Sequence, residues 1–310
     1  MSETKKIYPI YIVGAGPAGM TAAIYLKRAN IEFKIVDKYA PGGKMNITAV
    51  VDNYPGYFDI PGPDLAFKMY EQLREMKINI DYADVKKVTK DGDIFVLESD
   101  EGLEYAKAVI IATGTQERKL KIPGEAKYTN KGVSYCAVCD AALHKGEDIA
   151  IVGGGNSALE EAAFTASIVK KIYLVHRRQE FRADESAVED VKNAKNIELV
   201  LDAIPLEILG DGNTVTGLKV KNIKTGEESV LNVKAVFPFV GLDAVSDLLA
   251  ELNVRDERGY VLVNHEMMTQ VPGLFSIGDV NQKTLRQIVT ATADGAIAAL
   301  AANRYVKKLK

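Results

Sequence analysis

Both cysteines of the chain, Cys136 and Cys139, lie in one stretch, GVSYCAVCDAAL, with two residues between them and Asp140 directly after. Three chemistries suit such a pair. A structural zinc site needs four ligands, usually from two such pairs or from one pair and two nearby histidines, and His144, His176 and His265 do not have that spacing. Two inert, buried thiols are the plain alternative, because free cysteine packs as a small hydrophobe. The third is a dithiol–disulfide redox couple, which a close pair in a reducing compartment suits better than a structural staple. The spacing alone leaves the last two open, so the elements around the pair carry the argument.

Upstream, residues 7–13 read as a short strand, followed by GAGPAG with Gly14, Gly16 and Gly19, a helical MTAAIYLKRAN, and a second strand FKIVD that ends on Asp37. This is a dinucleotide fingerprint in its strand–turn–helix context. The first glycine allows the tight turn, the second lets backbone approach a pyrophosphate, and the third lets helix pack closely on strand. Asp37 follows Gly14 by 23 residues at a strand end, where a carboxylate can bind ribose hydroxyls.

The plan recurs downstream of the cysteines in DIAIVGGGNSALEEAAFTASIVKKIYLVHRR. Gly153, Gly155 and Ala158 hold the glycine positions, and His176 follows Gly153 by the same 23 residues. Here the strand end presents His176, Arg177 and Arg178, with Arg182 in the EFR that follows, where the first copy presents an acid. A carboxylate suits a free 2′-hydroxyl, whereas paired guanidiniums suit a 2′-phosphate through bidentate charge-assisted bonds. The inverted charge therefore predicts an NADP-type site, with a solvated basic face as the alternative.

Each copy is followed by short β-like segments with turn signals, and each ends in a hydrophobic strand that runs into Gly114 or Gly241, where backbone can lie against a dinucleotide. The fold expected is α/β: two Rossmann-like dinucleotide-binding domains, each with a parallel sheet, crossover helices and a β-meander. Near the end, FSIGDV (Gly278, Asp279) precedes RQIVTATADGAIAALAANRYV, a predicted helix whose N-terminus could face an anionic ring system.

Composition bounds the rest. The chain has 310 residues, 47% hydrophobic and 26% charged, with a formal charge of -3, which is ordinary globular composition and length enough for two domains. No Lys/Arg stripe interleaves with aromatics, which argues against nucleic acid. MSETKK runs straight into a strand, and no apolar run approaches the roughly 20 residues of a membrane span. A soluble, cytoplasmic protein is expected.

GAGPAG, DNYPG, ATGT, CAVCD, GGGNSALEEA, HRRQEFRA, GDV and RQ occur in an order and spacing that resembles the low-molecular-weight thioredoxin reductases over essentially the whole chain. The resemblance implies a discontinuous FAD-binding domain, residues 1–116 and 246–310, with an NADPH-binding domain inserted at 117–245 that carries the cysteines. It implies FAD contacts from Gly14, Ala15, Gly16, Pro17, Ala18, Asp37, Lys38, Gly43, Lys44, Asn53, Val85, Ala112, Thr113, Gly114, Gly278, Asp279, Arg286, Gln287 and Ile288. NADPH contacts would come from Gly155, Asn156, Ser157, Glu160, His176, Arg177, Arg178, Arg182 and Gly241.

The chemistry implied is that of an NADPH-dependent thioredoxin-disulfide reductase. FAD takes hydride from NADPH and passes two electrons to a Cys136–Cys139 disulfide, which exchanges with oxidised thioredoxin. Cys139 would face the flavin, Cys136 would attack the partner disulfide, and Asp140 would handle protons. A free thiol has a pKa of about 8.5, so exchange needs help in forming thiolate and protonating the leaving sulfur, and an adjacent acid can give and take that proton. Since the thiols ride on the nicotinamide domain, one domain would rotate against the other between half-reactions. The family also implies a homodimer.

Two positions depart from the family pattern. Lys44 stands in GGKM where Gln is common; it could stabilise a reduced, anionic flavin or point to solvent. Pro238 in FPFVG replaces a small aliphatic residue at the edge of the nicotinamide site.

Rival readings are weaker. A ferredoxin- or flavodoxin-driven flavin thioredoxin reductase would lack a competent nicotinamide site, yet GGGNSA and HRR are intact. The flavoprotein of alkyl hydroperoxide reductase carries an additional N-terminal redox domain, and a ferredoxin-NADP reductase would lack the cysteine pair. A flavin-based disulfide redox sensor would not turn over NADPH with thioredoxin.

Overall fold

The computed structural model describes residues 6–48 and 50–309; the side chains of Val138 and Cys139 fall outside that description, as does most of the MSETKK segment used in expecting a soluble, cytoplasmic protein. The chain divides into two compact units, one running up to Gln116 and again from Asp243 onward, the other spanning Glu117–Leu242.

The first unit is built on one mixed sheet with strand order Asp81–Tyr82, Phe33–Asp37, Ile7–Val13, Gly102–Ile111, Ile94–Ser99 and Val85–Asp91, with Leu274–Ser276 also pairing to Gly102–Ile111. Ile7–Val13 runs parallel to both neighbours, while the last three strands of the order form an antiparallel meander. Side chains alternate across the central strand. Ile10 and Ile12 join one core with Met20, Leu26 and Ala298, and Tyr11 and Val13 join another with Phe95, Leu97 and Leu249. Near-continuous burial of IYIV and AVII is what a strand covered on both faces requires.

The helix Pro17–Arg28 starts with Pro in its first turn and ends with Lys27 and Arg28, which suit the C-terminal end of the dipole. Asn30 then turns the chain at φ 54. The long helix Ile288–Lys308 lies against Pro17–Arg28, and small residues allow the close approach: a Cβ at Gly295 would overlap the Ala18 carbonyl.

The second unit has a parallel sheet, Ile197–Val200, Lys171–Val175, Asp148–Gly153 and Ala235–Phe239, and a separate antiparallel sheet, Ala203–Gly210, Val215–Asn222 and Glu228–Leu231. Helix Asn156–Ala166 packs Ala158, Leu159 and Ala162 against Ile149, Ile151 and Phe237 on one face, and the meander covers the other through Ile208, Leu218 and Val220. The two-domain α/β reading holds, with a meander integral to the sheet in one unit and detached from it in the other. Strands Thr115–Glu117 and Leu242–Ala244, where the chain crosses between units, form a two-stranded ribbon. No helix among the described residues is long and apolar enough to cross a membrane.

Candidate functional site

In the first glycine loop, Gly14 sits at φ +108 and a Cβ there would overlap the Ala112 carbonyl; a Cβ at Gly19 would overlap the carbonyl of Gly14. Both glycines are required by the fold itself. Gly16 is different. It is extended, at φ -71, and no neighbouring atom lies within 4 Å of where its Cβ would stand. No side chain caps the helix it precedes. A glycine that packing does not demand, facing open space at a bare helix N-terminus, is a cradle fit for a phosphate.

The loop is tied to Asp37. Ala15 N–H donates to Asp37 Oδ2 (2.6 Å) and Tyr39 N–H to Oδ1 (2.8 Å). Burial pushes the Asp37 carboxyl above its ordinary range, against the pull of those two amides. Asp37 thus holds the loop in shape, and each oxygen keeps a lone pair for a hydroxyl. Lys38 lies over the Tyr39 ring at 5.1 Å. Val85 opens the meander and is buried.

The other side of this site is the turn after Leu274–Ser276. Gly278 N–H donates to Asp294 Oδ2 (2.9 Å), and Gly278 itself packs where a Cβ would come 3.1 Å from that of Ala18. Asp279 Oδ1 is buried with no hydrogen-bond partner. Burial raises the Asp279 pKa, while the charges of Lys44, Lys283 and Arg286 draw it down and Asp294 pushes it up. An orphaned carboxylate oxygen beside the open cradle suits a hydroxyl-bearing ligand. Lys44, on the one-turn helix Gly43–Ile47, is half-buried and lies within the field of Asp279, so it is not a plain solvent-facing lysine.

Arg286 ties its own loop. Its Nε donates to Asp279 O (3.1 Å), one terminal nitrogen donates to Asn281 O (3.0 Å), and the guanidinium lies 4.2 Å from the centre of the Tyr260 ring. Gln287 caps helix Ile288–Lys308 in a reciprocal capping box with Thr290, and Asn53 Nδ2 donates to Gln287 Oε1 (3.3 Å). Thr113 Oγ1 donates to Val245 O (2.5 Å), and Val245 N–H to Gly114 O (3.0 Å), which closes the crossing end of this unit.

The second loop repeats the logic. A Cβ at Gly153 would overlap Ala158 and come within reach of Phe239 O, whereas Gly155, extended at φ -107, has no neighbouring atom within 4 Å of its Cβ position. Asn156 and Asp184 bind reciprocally: Asn156 Nδ2 donates to Asp184 Oδ2 (2.6 Å), and Asp184 N–H donates to Asn156 Oδ1 (2.8 Å). Arg182 N–H donates to Gly154 O (2.7 Å). The basic segment is therefore latched to the glycine loop by its backbone, leaving the side chains of Arg177, Arg178 and Arg182 exposed.

His176 differs from these arginines. It is buried, stacked on Phe181 with ring centres 5.3 Å apart, and bonded through Nε2 to Glu180 O (3.1 Å). Burial, with Arg177, Arg178 and Arg182 nearby, lowers its pKa. Ser157 and Glu160 are exposed on the first turns of Asn156–Ala166. Gly241 O accepts Arg118 N–H (2.9 Å), a bond across the two chain crossings within this unit.

The cysteine segment is rooted on the same unit. Val236 N–H donates to Gly132 O (2.8 Å) and Ser134 N–H to Val236 O (3.2 Å), so the chain enters the pair along the edge strand of the parallel sheet. Ser134 Oγ accepts Cys136 N–H (3.1 Å) and donates to Cys136 O (3.3 Å). Asp140 N–H then donates to Cys136 O (3.2 Å), closing the one-turn helix Ala137–Asp140. Cys136 is half-buried and disulfide-bonded. The side chain of Cys139 lies outside the described residues. No cluster of three or more possible metal ligands occurs among the described residues.

The model of the family described as pyridine nucleotide-disulphide oxidoreductase matches residues 8–295. The chain belongs to that family. Such membership implies a pyridine nucleotide and a flavin, and the two open cradles and the orphaned Asp279 oxygen fit them. The likeness to low-molecular-weight thioredoxin reductases read from the motifs holds over the full length. The thioredoxin reductase of Listeria monocytogenes is 41% identical over 310 residues, covering 100% of this chain and 97% of that protein. Among solved structures, thioredoxin reductase of Lactococcus lactis in its FR conformation is 40% identical with a TM-score of 0.94, covering 97% of this chain and 99% of that one. That of T. acidophilum is 34% identical with a TM-score of 0.90, covering 99% and 100%.

Several residues that shape the site carry little sequence signal. Asp184 is legible as the N-cap of helix Glu185–Asn193, but its pairing with Asn156 spans 28 positions. Asp294 is a lone acid in an alanine- and glycine-rich helix, a signal that a carboxylate there has partners. Glu125, 3% exposed, binds the amides of Leu120 and Lys121 and the hydroxyl of Tyr135, next to Cys136.

Proposed function

We propose that this chain is an NADPH-dependent thioredoxin-disulfide reductase that uses FAD and a Cys136–Cys139 redox couple. The observation that carries the reading is the disulfide-bonded Cys136 on the same unit as the basic dinucleotide loop, apart from the acidic one. Bound FAD supplies a two-electron relay between NADPH and the disulfide. The acidic loop, with Gly16, Asp37 and Asp279, is the proposed FAD site. Gly155, Arg177, Arg178 and Arg182 form the proposed NADPH site, in which guanidiniums clasp the 2′-phosphate.

Each turnover consumes NADPH and a proton and converts one disulfide to two thiols. The Cys136 thiolate then attacks the thioredoxin disulfide to form a mixed disulfide, Cys139 displaces it, and the Cys136–Cys139 bond reforms as reduced thioredoxin leaves. Asp140 gives and takes the protons. Rotation of one unit against the other at the two crossings serves both half-reactions. The proposed setting is the cytoplasm, where a reducing NADPH pool exists, and the proposed assembly is a homodimer.

An anaerobic titration tests the electron path. The FAD-loaded chain should accept two hydride equivalents per chain, and Cys136→Ser only one. Uptake of a single equivalent by both proteins would remove the disulfide from the path.

A further inference from the structure

We propose that Lys283 and Asp294 form a charge-compensated anchor that positions the Gly278–Asp279 turn for FAD and keeps the phosphate end of that site free of net negative charge. The inference rests on the FAD site proposed above. Asp294 Oδ2 accepts both Gly278 N–H (2.9 Å) and Lys283 Nζ (2.6 Å), with the two side chains only 17% and 12% exposed for Lys283 and Asp294.

Three contacts locate this pair. Gly278 abuts Ala18, the second residue of helix Pro17–Arg28, and Gly295, the residue after Asp294, abuts the backbone of Ala18 and Ala22. Asp294 therefore stands beside the helix N-terminus that the open Gly16 cradle marks as the phosphate end. A bare carboxylate at that place would repel a pyrophosphate through a poorly screened medium. It is nonetheless useful, because Gly278 sits at φ +76 and its N–H needs an acceptor to fix the turn that aims Asp279. Lys283 reconciles the two demands by cancelling the charge while leaving the acceptor in place. The same field is felt by Asp279, which Lys283 and Asp294 influence in opposite directions.

In Lys283→Met the Asp294 charge is left uncompensated, so FAD affinity of the apoprotein should fall at least about tenfold, equivalent to ~1.4 kcal/mol. Asp294→Asn retains an oxygen for Gly278 N–H and leaves Lys283 unpaired, a cation that does not repel a pyrophosphate, so the folded variant should bind FAD no more than about threefold more weakly than the parent, ~0.7 kcal/mol at most. The double variant Lys283→Met/Asp294→Asn should recover most of the loss, since no buried charge remains unpaired.

The measurement is the Kd for FAD by quenching of flavin fluorescence on titration of reconstituted apoprotein, with circular dichroism of each variant. A double variant that binds no better than Lys283→Met would mean that Lys283 touches the ligand directly, and the anchor proposal would fall. It would fall equally if Asp294→Asn alone lost tenfold, or if Lys283→Met bound FAD like the parent. Should Lys283→Met not fold, Asp294→Asn and the double variant still decide the matter, because both are free of an uncompensated carboxylate. A parent protein that binds no FAD would instead sink the functional reading beneath it.

Discussion

The imidazole of His176 fills the space that a side chain at Gly154 would need, and it stacks there on Phe181. The residue at the end of the second copy's strand is thus a packing block for the glycine loop, and the basic character of that end comes from the exposed arginines beside it. Its pKa is lowered, chiefly by burial. The folded state prefers the neutral ring, so this contribution to stability is present above the unfolded pKa of about 6.5 and is lost as pH falls below it. Melting temperature should drop on going from pH 7.5 to 5.5, and His176→Gln, which keeps a donor for Glu180 O but does not titrate, should flatten that drop. An identical pH slope in the variant would show that His176 does not couple to folding.

The glycines of each loop separate into those that packing requires and those beside open space. Gly16→Ala should leave the apoprotein melting temperature nearly unchanged while FAD affinity collapses, and Gly155→Ala should weaken NADPH while FAD stays bound. Gly19→Ala, whose Cβ would overlap the Gly14 carbonyl, should instead lower the yield of folded protein. Thermal melts of the three apoproteins beside ligand titrations check the division. Equal destabilisation by Gly16→Ala and Gly19→Ala would contradict it.

Replacing Arg177 and Arg178 together by Ala should raise KM for NADPH and leave NADH nearly unaffected. Each lost charge-assisted bond is worth about 1.5–3 kcal/mol, or roughly 10- to 100-fold or more in affinity. Both side chains are exposed, so thermal stability should change little. If KM rose equally for the two cofactors, the arginines would be structural and the phosphate reading wrong.

Glu125 is a buried brace of the segment that leads into Cys136. Its Oε1 accepts Leu120 N–H (2.8 Å) and Tyr135 Oη–H (2.7 Å), and its Oε2 accepts Lys121 N–H (2.7 Å). Burial, then the bond to Glu125, drives the Tyr135 pKa upward, so the phenol stays protonated and donating. Glu125→Ala leaves two amides and a phenol without an acceptor and should cost about 2–5 kcal/mol; Tyr135→Phe, which leaves both amides satisfied, should cost about 1–2 kcal/mol. Melting temperatures of the FAD-loaded variants should fall in that order. The reverse order would assign the brace to Tyr135 packing alone.

The two βαβ units were legible because their signals are local. Short, continuously apolar strands, glycines at fixed offsets and a charge at the strand end all fall within about 30 residues, the span of one such unit. The cysteine pair gained its meaning from where those units lie on either side of it. What escaped was long-range or ambiguous in kind. Asn156 and Asp184 lie 28 positions apart, and Gly278 and Asp294 lie 16 apart, joined only once the turn and the last helix have formed. His176 occupies a position that reads the same whether or not its ring packs on its neighbours, and its burial against Phe181 is not visible in residue type. Arg286, whose residue type suggests a ligand contact, also ties its own loop by donating to the Asp279 and Asn281 carbonyls, bonds that residue type does not reveal.

The central claim is that electrons from NADPH leave this protein through Cys136. Steady-state oxidation of NADPH by the FAD-loaded chain, followed at limiting thioredoxin disulfide, tests it most directly. The account predicts oxidation that depends on thioredoxin and yields two thiols for each NADPH consumed, and that is abolished by Cys136→Ser although the flavin of that variant is still reduced by NADPH. Near-normal thioredoxin turnover by Cys136→Ser, or NADPH oxidation by the parent that ignores thioredoxin, would contradict it.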